Sequence, residues 1–280
     1  MEKEKVILTV SFGTSYRDTR EKTIGAIERQ IASAFPGWDV QRAFTSGMVI
    51  RSILKKEGLH IDDVPAALER LASAGISELV IQPTHLMAGK EYEKMLAQIE
   101  PFRGRIGQIQ VGKPLLYDED DQKAAAAVLE ELFDAEGSFD EVWQKGSGCE
   151  DSEKAVVLMG HGTDVLSDSV YTRLQNILEE SGCSRIFIGT VEGSVTLQDV
   201  LTKLRSGKYR QILLAPLMVV AGDHALNDMA GDSPDSWKTL LEKEGYEVFP
   251  VMRGLGEYPQ IRERYVQHVK ETLCNPANRT

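Results

Sequence analysis

AVVLMGHGT, residues Ala155–Thr163, carries the reading of the fold. Its first five residues are apolar without alternation, which suits a strand buried on both faces of a sheet rather than one with a wet side. A glycine–histidine–glycine turn then ends the run. Working outward, the same kind of run recurs at Val6–Ser11, Val40–Phe44, Glu78–Gln82, Gln108–Val111, Arg185–Gly189, Gln211–Ala215 and Glu247–Val251. Amphipathic stretches of helical period separate these runs: Asp18–Ala34, Met48–Lys56, Pro65–Ser73, Tyr92–Ile99, Asp120–Phe133, Ser167–Glu180, Leu197–Arg205, Trp237–Lys243 and Gln260–Leu273. Strand and helix in alternation imply an α/β fold, doubly wound, with helices on both faces of parallel sheets.

The stretch Asp134–Lys154 is polar, acidic and dotted with Gly and Ser, the composition of a linker. It divides the chain into an N-terminal half, 1–137, and a C-terminal half, 138–280, with four candidate strands on each side. The halves repeat each other in outline. SFGT at Ser11–Thr14 answers GHGT at Gly160–Thr163, and Ser46-Gly47 answers Glu192-Gly193. IQPTHLMAGKE at Ile81–Glu91 answers LAPLMVVAGDH at Leu214–His224, with Pro83 and Pro216, Gly89 and Gly222, and Glu91 and His224 each 133 residues apart. We read this as a degenerate duplication of one sheet unit.

Composition bounds the function. With 42% hydrophobic residues in 280, the chain supports two cores of moderate size. A net charge of −11 disfavours a nucleic-acid partner. The N-terminal apolar run is too short for a signal peptide, and no run approaches the ~20 residues of a membrane span. Cys149, Cys183 and Cys274 are scattered and odd in number, so they read as free thiols of a reducing compartment, and a soluble cytoplasmic protein is expected.

In parallel α/β sheets ligands gather beyond the carboxyl ends of the strands. In the second half these ends deliver His161, Glu192 and His224 from three successive strands. Each alone has an ordinary explanation as a surface or capping residue. Together, two imidazoles and a carboxylate suit a borderline divalent metal such as cobalt, nickel, iron or zinc. The first half places Phe12, Ser46 and Glu91 at the matching points, with His85 and Glu93 nearby; the two glutamates also suit a helix N-terminus. His60 and His268 read as surface or packing residues. GHGTDV at Gly160–Val165 lacks the third glycine of a dinucleotide fingerprint. GQIQVGKP at Gly107–Pro114 puts Pro114 where a P-loop needs Ser or Thr, so no nucleotide is expected.

Longer pieces of the chain resemble the anaerobic cobaltochelatases of cobalamin biosynthesis, the CbiK family of class II chelatases. They are VSFGTSYRDT at Val10–Thr19, RAFTSGMVIR at Arg42–Arg51, HLMAGKEYEK at His85–Lys94, MGHGT at Met159–Thr163 and PLMVVAGDHALNDMAGDSPDSWK at Pro216–Lys238. The resemblance implies two similar α/β halves around a cleft, a relationship to ferrochelatase, and insertion of Co²⁺ into sirohydrochlorin without ATP. It implies His161 and His224 as catalytic and metal-binding residues, Glu192 as a third metal ligand, and Glu91 on the substrate side. Phe12, Ser46 and His85 are our further candidates for tetrapyrrole contact. Arg17, Arg51, Lys90, Lys113 and Arg253 are candidates for holding substrate carboxylates. On the residues alone, a chelatase for iron or nickel, a non-catalytic tetrapyrrole or metal carrier and a zinc metallohydrolase stay open, as does a homo-oligomer.

Overall fold

The computed structural model describes residues 5–133, 142, 153–163 and 168–274. In chain order its elements are β1 (Lys5–Ser11), α1 (Arg17–Lys22), α2 (Ile24–Ala34), β2 (Asp39–Phe44), α3 (Gly47–Glu57), α4 (Val64–Ser73), β3 (Glu78–Pro83), α5 (Lys90–Ile99), β4 (Gln108–Val111), α6 (Glu119–Phe133), β5 (Lys154–Gly160), α7 (Ser169–Glu180), β6 (Ile186–Thr190), α8 (Leu197–Ser206), β7 (Gln211–Pro216), a π-helical turn (Ala225–Met229), α9 (Trp237–Lys243), β8 (Glu247–Pro250) and α10 (Pro259–Cys274). The expected linker Asp134–Lys154 lies outside the described residues except for Val142, Glu153 and Lys154. Among the described residues no helix is long and apolar enough to cross a membrane.

The strands form two four-stranded sheets, ordered β2-β1-β3-β4 and β6-β5-β7-β8. Every pairing is parallel. The central strands show why their sequences run apolar without alternation. Ile7, Leu8 and Val10 in β1, and Val157, Leu158 and Met159 in β5, are fully buried because helices cover both faces. The two sheets also share a register. Val10 pairs with Pro83 and Met159 with Pro216. One residue further, the Thr84 amide donates to the Val10 carbonyl and the Leu217 amide to the Met159 carbonyl, both at 2.8 Å.

Local chemistry fixes the helix starts. Asp63 accepts from the Ala66 amide at 2.9 Å, with Pro65 in the first turn of α4, and Thr196 and Asp199 form a reciprocal capping box at α8. The stretch expected as one helix over Asp18–Ala34 is two. Thr23 ends α1 and begins α2 at φ −108° and ψ −82°, with its Oγ1 donating to the Thr19 carbonyl at 2.6 Å. A buried threonine hydroxyl that competes for the i−4 carbonyl bends the axis without disturbing the apolar period that the sequence displays.

The packed units also depart from a division at 137/138. One compact unit comprises 1–117 together with 256–280, and the other comprises 118–255. Thus α6 leaves the first sheet to pack on α7, while α10 returns to pack on β3, β4 and α2. The reason lies in what α10 presents. Tyr265, Val266, His268 and Val269 are fully buried. Tyr265 donates to the Thr84 carbonyl at 3.0 Å, and Gln110 of β4 donates to the Thr272 carbonyl at 2.8 Å. A helix that fills one face and satisfies its polar groups belongs to that sheet, whatever its distance along the chain. Ending the chain after Leu255 is therefore expected to speed amide hydrogen exchange in Glu78–Pro83 and Gln108–Val111. Exchange in Gln211–Pro216 should stay as in the full-length chain.

Candidate metal centre

Three strand ends of the second unit deliver the candidate ligands. After β5 the chain turns at Gly162, which has φ +83°; a Cβ there would collide with the Gly193 backbone nitrogen, so only glycine is unstrained. The β5–β6 pairing continues past both strands. The Val191 amide donates to the Gly160 carbonyl at 3.0 Å and the Glu192 amide to the His161 carbonyl at 2.8 Å. Two of the three side chains are thereby held side by side through their own backbones. His224 comes from the loop after β7 and directly precedes the π-helical turn.

One potential ligand atom from each of His161, Glu192 and His224 lies within 4.8 Å of the others. The imidazole centroids are 4.5 Å apart with planes at 86°. Metal–nitrogen and metal–oxygen bonds of about 2.0–2.2 Å place neighbouring ligands roughly 3–4 Å apart, so closing on an ion takes about an ångström of side-chain movement. The side chains of His161, Glu192 and His224 are 46%, 60% and 33% exposed. An ion held here keeps an open, wet side.

Hydrogen bonds select the tautomers. His161 Nδ1 lies 2.9 Å from the Gly162 carbonyl, and His224 Nδ1 lies 2.7 Å from Asp228 Oδ2. A carbonyl and a carboxylate only accept, so each Nδ1 carries the hydrogen and each neutral ring keeps its Nε2 lone pair for a metal or a proton. Glu192 Oε2 sits 3.9 Å from His161 Nδ1, too far for a hydrogen bond but close enough for charge to act. Sequence reasoning missed Asp228. The signal was the four-residue spacing from His224, which the π-helical turn brings into register.

The first unit repeats this framework with other side chains. The Thr45 amide donates to Ser11 at 2.9 Å and the Ser46 amide to Phe12 at 3.3 Å, the counterparts of the two β5–β6 bonds above. Glu93 N to Gly89 O matches Leu226 N to Gly222 O, both 3.0 Å. Gly13 takes φ +98° where Gly162 takes +83°. Phe12 thus stands where His161 does, Ser46 where Glu192 does, and Glu91 where His224 does. Phe12 is half exposed. Ser46 is buried and its Oγ caps α3. Glu91 and Glu93 fall in the first turn of α5, and Glu91 Oε2 lies 3.7 Å from Lys94 Nζ. Of the remaining histidines, His60 is exposed beside Asp62 and His268 is buried against the Lys113 carbonyl.

A duplicated parallel α/β frame whose second copy alone ends three strands in His, Glu and His is that of a metal-handling protein. The cobalt chelatase (CbiK) family matches the chain over residues 5–274, and the chain belongs to that family. It is 37% identical over 270 residues to the sirohydrochlorin cobaltochelatase of Salmonella typhimurium, covering 96% of this chain and 97% of that protein. It is 33% identical over 268 residues to the sirohydrochlorin cobaltochelatase CbiKC of Nitratidesulfovibrio vulgaris, covering 95% and 89%. A solved multi-domain protein of Deinococcus radiodurans, described as structurally similar to chelatases, matches with a TM-score of 0.57 at 12% identity, over 96% of this chain and 55% of that one. That last likeness bears on the fold alone.

His85, in the first unit, buries both ring nitrogens without a hydrogen-bond partner, and burial pushes its pKa down to about 4. The neutral ring is favoured in the folded state, while the unfolded chain takes up its proton near pH 6.5. The sign follows: its stability is intact above about pH 6.5 and is lost as pH falls from there towards about 4, by up to roughly 3 kcal/mol. Urea unfolding at pH 7 and pH 5 should show a steeper acid loss for the wild type than for His85→Gln.

Proposed function

We propose that this protein inserts Co²⁺ into sirohydrochlorin, as the names of its two relatives describe for them. The observation that carries the reading is the open His161–Glu192–His224 triplet at the strand ends of the second unit. A storage or structural site closes its ligands around the ion, whereas a site that must hand the ion on keeps one side free. Cobalt suits imidazole nitrogen with one carboxylate oxygen. Glu192 lowers the net charge of the bound ion and helps to draw it from water.

Insertion exchanges two pyrrole N–H protons for one Co²⁺. As the ion passes to the ring nitrogens, the Nε2 lone pairs of His161 and His224 are vacated. Each then takes one pyrrole proton on that lone pair and later releases it to water. Asp228 holds His224 in the required tautomer and stabilises the imidazolium that forms. Phe12, Ser46, His85 and Glu91 are assigned to the tetrapyrrole side, supported by their place beyond the carboxyl ends of β1, β2 and β3. Arg17 and Arg51, both exposed in the first unit, suit the substrate carboxylates. No nucleotide takes part in this scheme: Gln108–Val111 is a strand, and Lys113 is followed by Pro114. A reducing compartment, the cytoplasm, suits a chain whose three cysteines, Cys149, Cys183 and Cys274, are scattered and odd in number.

His161→Ala and His224→Ala should each lower metallation more than about 100-fold, with far-ultraviolet circular dichroism unchanged. Glu192→Gln should instead raise the KM for Co²⁺ and leave the affinity for sirohydrochlorin equal or slightly tighter, because one like charge has gone. Steady-state rates over a Co²⁺ series at fixed tetrapyrrole read both; a fall in kcat at saturating metal with unchanged KM would make Glu192 a base rather than a metal ligand.

A further inference from the structure

Asp168 lies immediately before α7, is buried, and makes no cap bond to its own helix. Its carboxylate instead joins two loops. Oδ1 accepts from the Thr163 amide at 3.0 Å. Oδ2 accepts from the Ser194 amide at 2.7 Å and from Ser194 Oγ at 2.5 Å. Thr163 is two residues beyond His161, and Ser194 is two residues beyond Glu192. Tyr171, in the first turn of α7, adds to the hold: its hydroxyl accepts from the Gly162 amide at 3.2 Å. Burial foremost, with the Asp168 charge beside it, pushes that phenol up to about 12, so it stays a neutral acceptor. At Gly193 a Cβ would strike Asp168 Oδ1, so the second loop is packed directly on the carboxylate.

We propose that Asp168 is a positioning residue for metal capture, fixing the spacing of His161 and Glu192 by tying the loop that follows each. The inference rests on reading the triplet as the metal site. The chemistry favours a carboxylate at this place. Three donors from two segments need an acceptor with two oxygens and about four lone-pair sites, and backbone amides are best met by a charged one. An asparagine keeps the shape but turns one oxygen into a donor, which then faces either the Thr163 amide or the Ser194 pair. An outer partner of this kind acts on the ligands through their geometry, and its loss typically weakens metal binding about 10- to 100-fold.

The test uses the full-length chain and Co²⁺ alone, followed by the visible absorption of the bound ion, together with a separate sirohydrochlorin titration and metal-free melting. Asp168→Asn should weaken Co²⁺ about 10- to 100-fold, with sirohydrochlorin affinity within about twofold of wild type. Ser194→Ala, which removes only the hydroxyl donor, should weaken Co²⁺ about two- to tenfold; it decides the matter if Asp168→Asn does not fold. A merely structural Asp168 would lower the metal-free melting temperature and leave Co²⁺ binding of the folded variant at the wild-type midpoint, and that result overturns the proposal. Equal losses for metal and ring would also overturn it. His161→Ala separates the two levels. If it binds Co²⁺ like wild type, the metal-site reading fails. If it loses Co²⁺ while Asp168→Asn does not, only the role of Asp168 fails.

Discussion

The 2.8 Å hydrogen bond from the Glu192 amide to the His161 carbonyl is the constraint on which the site depends. It extends a parallel ladder beyond its strands, so that two loops leave the sheet in register rather than independently. Parallel strands all present their carboxyl ends on the same edge, and a ladder that overruns that edge converts strand spacing into ligand spacing. Gly162 is a consequence of that closeness, since no other residue fits both its positive φ and the approach of Gly193. The openness of the triplet follows as well, because the sheet supports it from one side only.

The duplication shows how one frame serves two chemistries. Both units keep the loop hydrogen bonds, the left-handed glycine and the strand register, and they differ in the side chains hung on that frame. An apolar phenylalanine, a helix-capping serine and a glutamate occupy one unit where two imidazoles and a carboxylate occupy the other. Backbone geometry is therefore the common element, and metal competence is a local choice of side chain.

Much of this was legible in the sequence because buried parallel strands leave an unambiguous mark: AVVLM and ILLAP admit no wet face. The meeting of His161, Glu192 and His224 was legible too, because strand ends can be located and these three residues are unusual things to find there. What escaped was whatever depends on contacts between distant segments or on backbone irregularity. Thr23 breaks a helix whose period runs on undisturbed. Asp228 meets His224 across a π-helical turn that no propensity signals. Asp168 sits in an ordinary polar stretch, and only the meeting of two loops gives it three donors. The allegiance of α10 was hidden for the same reason, since an amphipathic pattern shows that a helix has a buried face but not which sheet receives it.

That exchange of helices sets an order of events during synthesis. Residues 1–117 are made before 118–255, yet the helix that packs on β3 and β4 is made after the whole of 118–255. At roughly 5–20 residues per second, the wait is on the order of ten to thirty seconds. Throughout it the surface of the first unit that Tyr265, Val266 and Val269 bury is without that helix. The second unit holds all its strands and helices within one continuous span and is free to fold during that interval. The unit begun earlier is thus completed only after the other has been made.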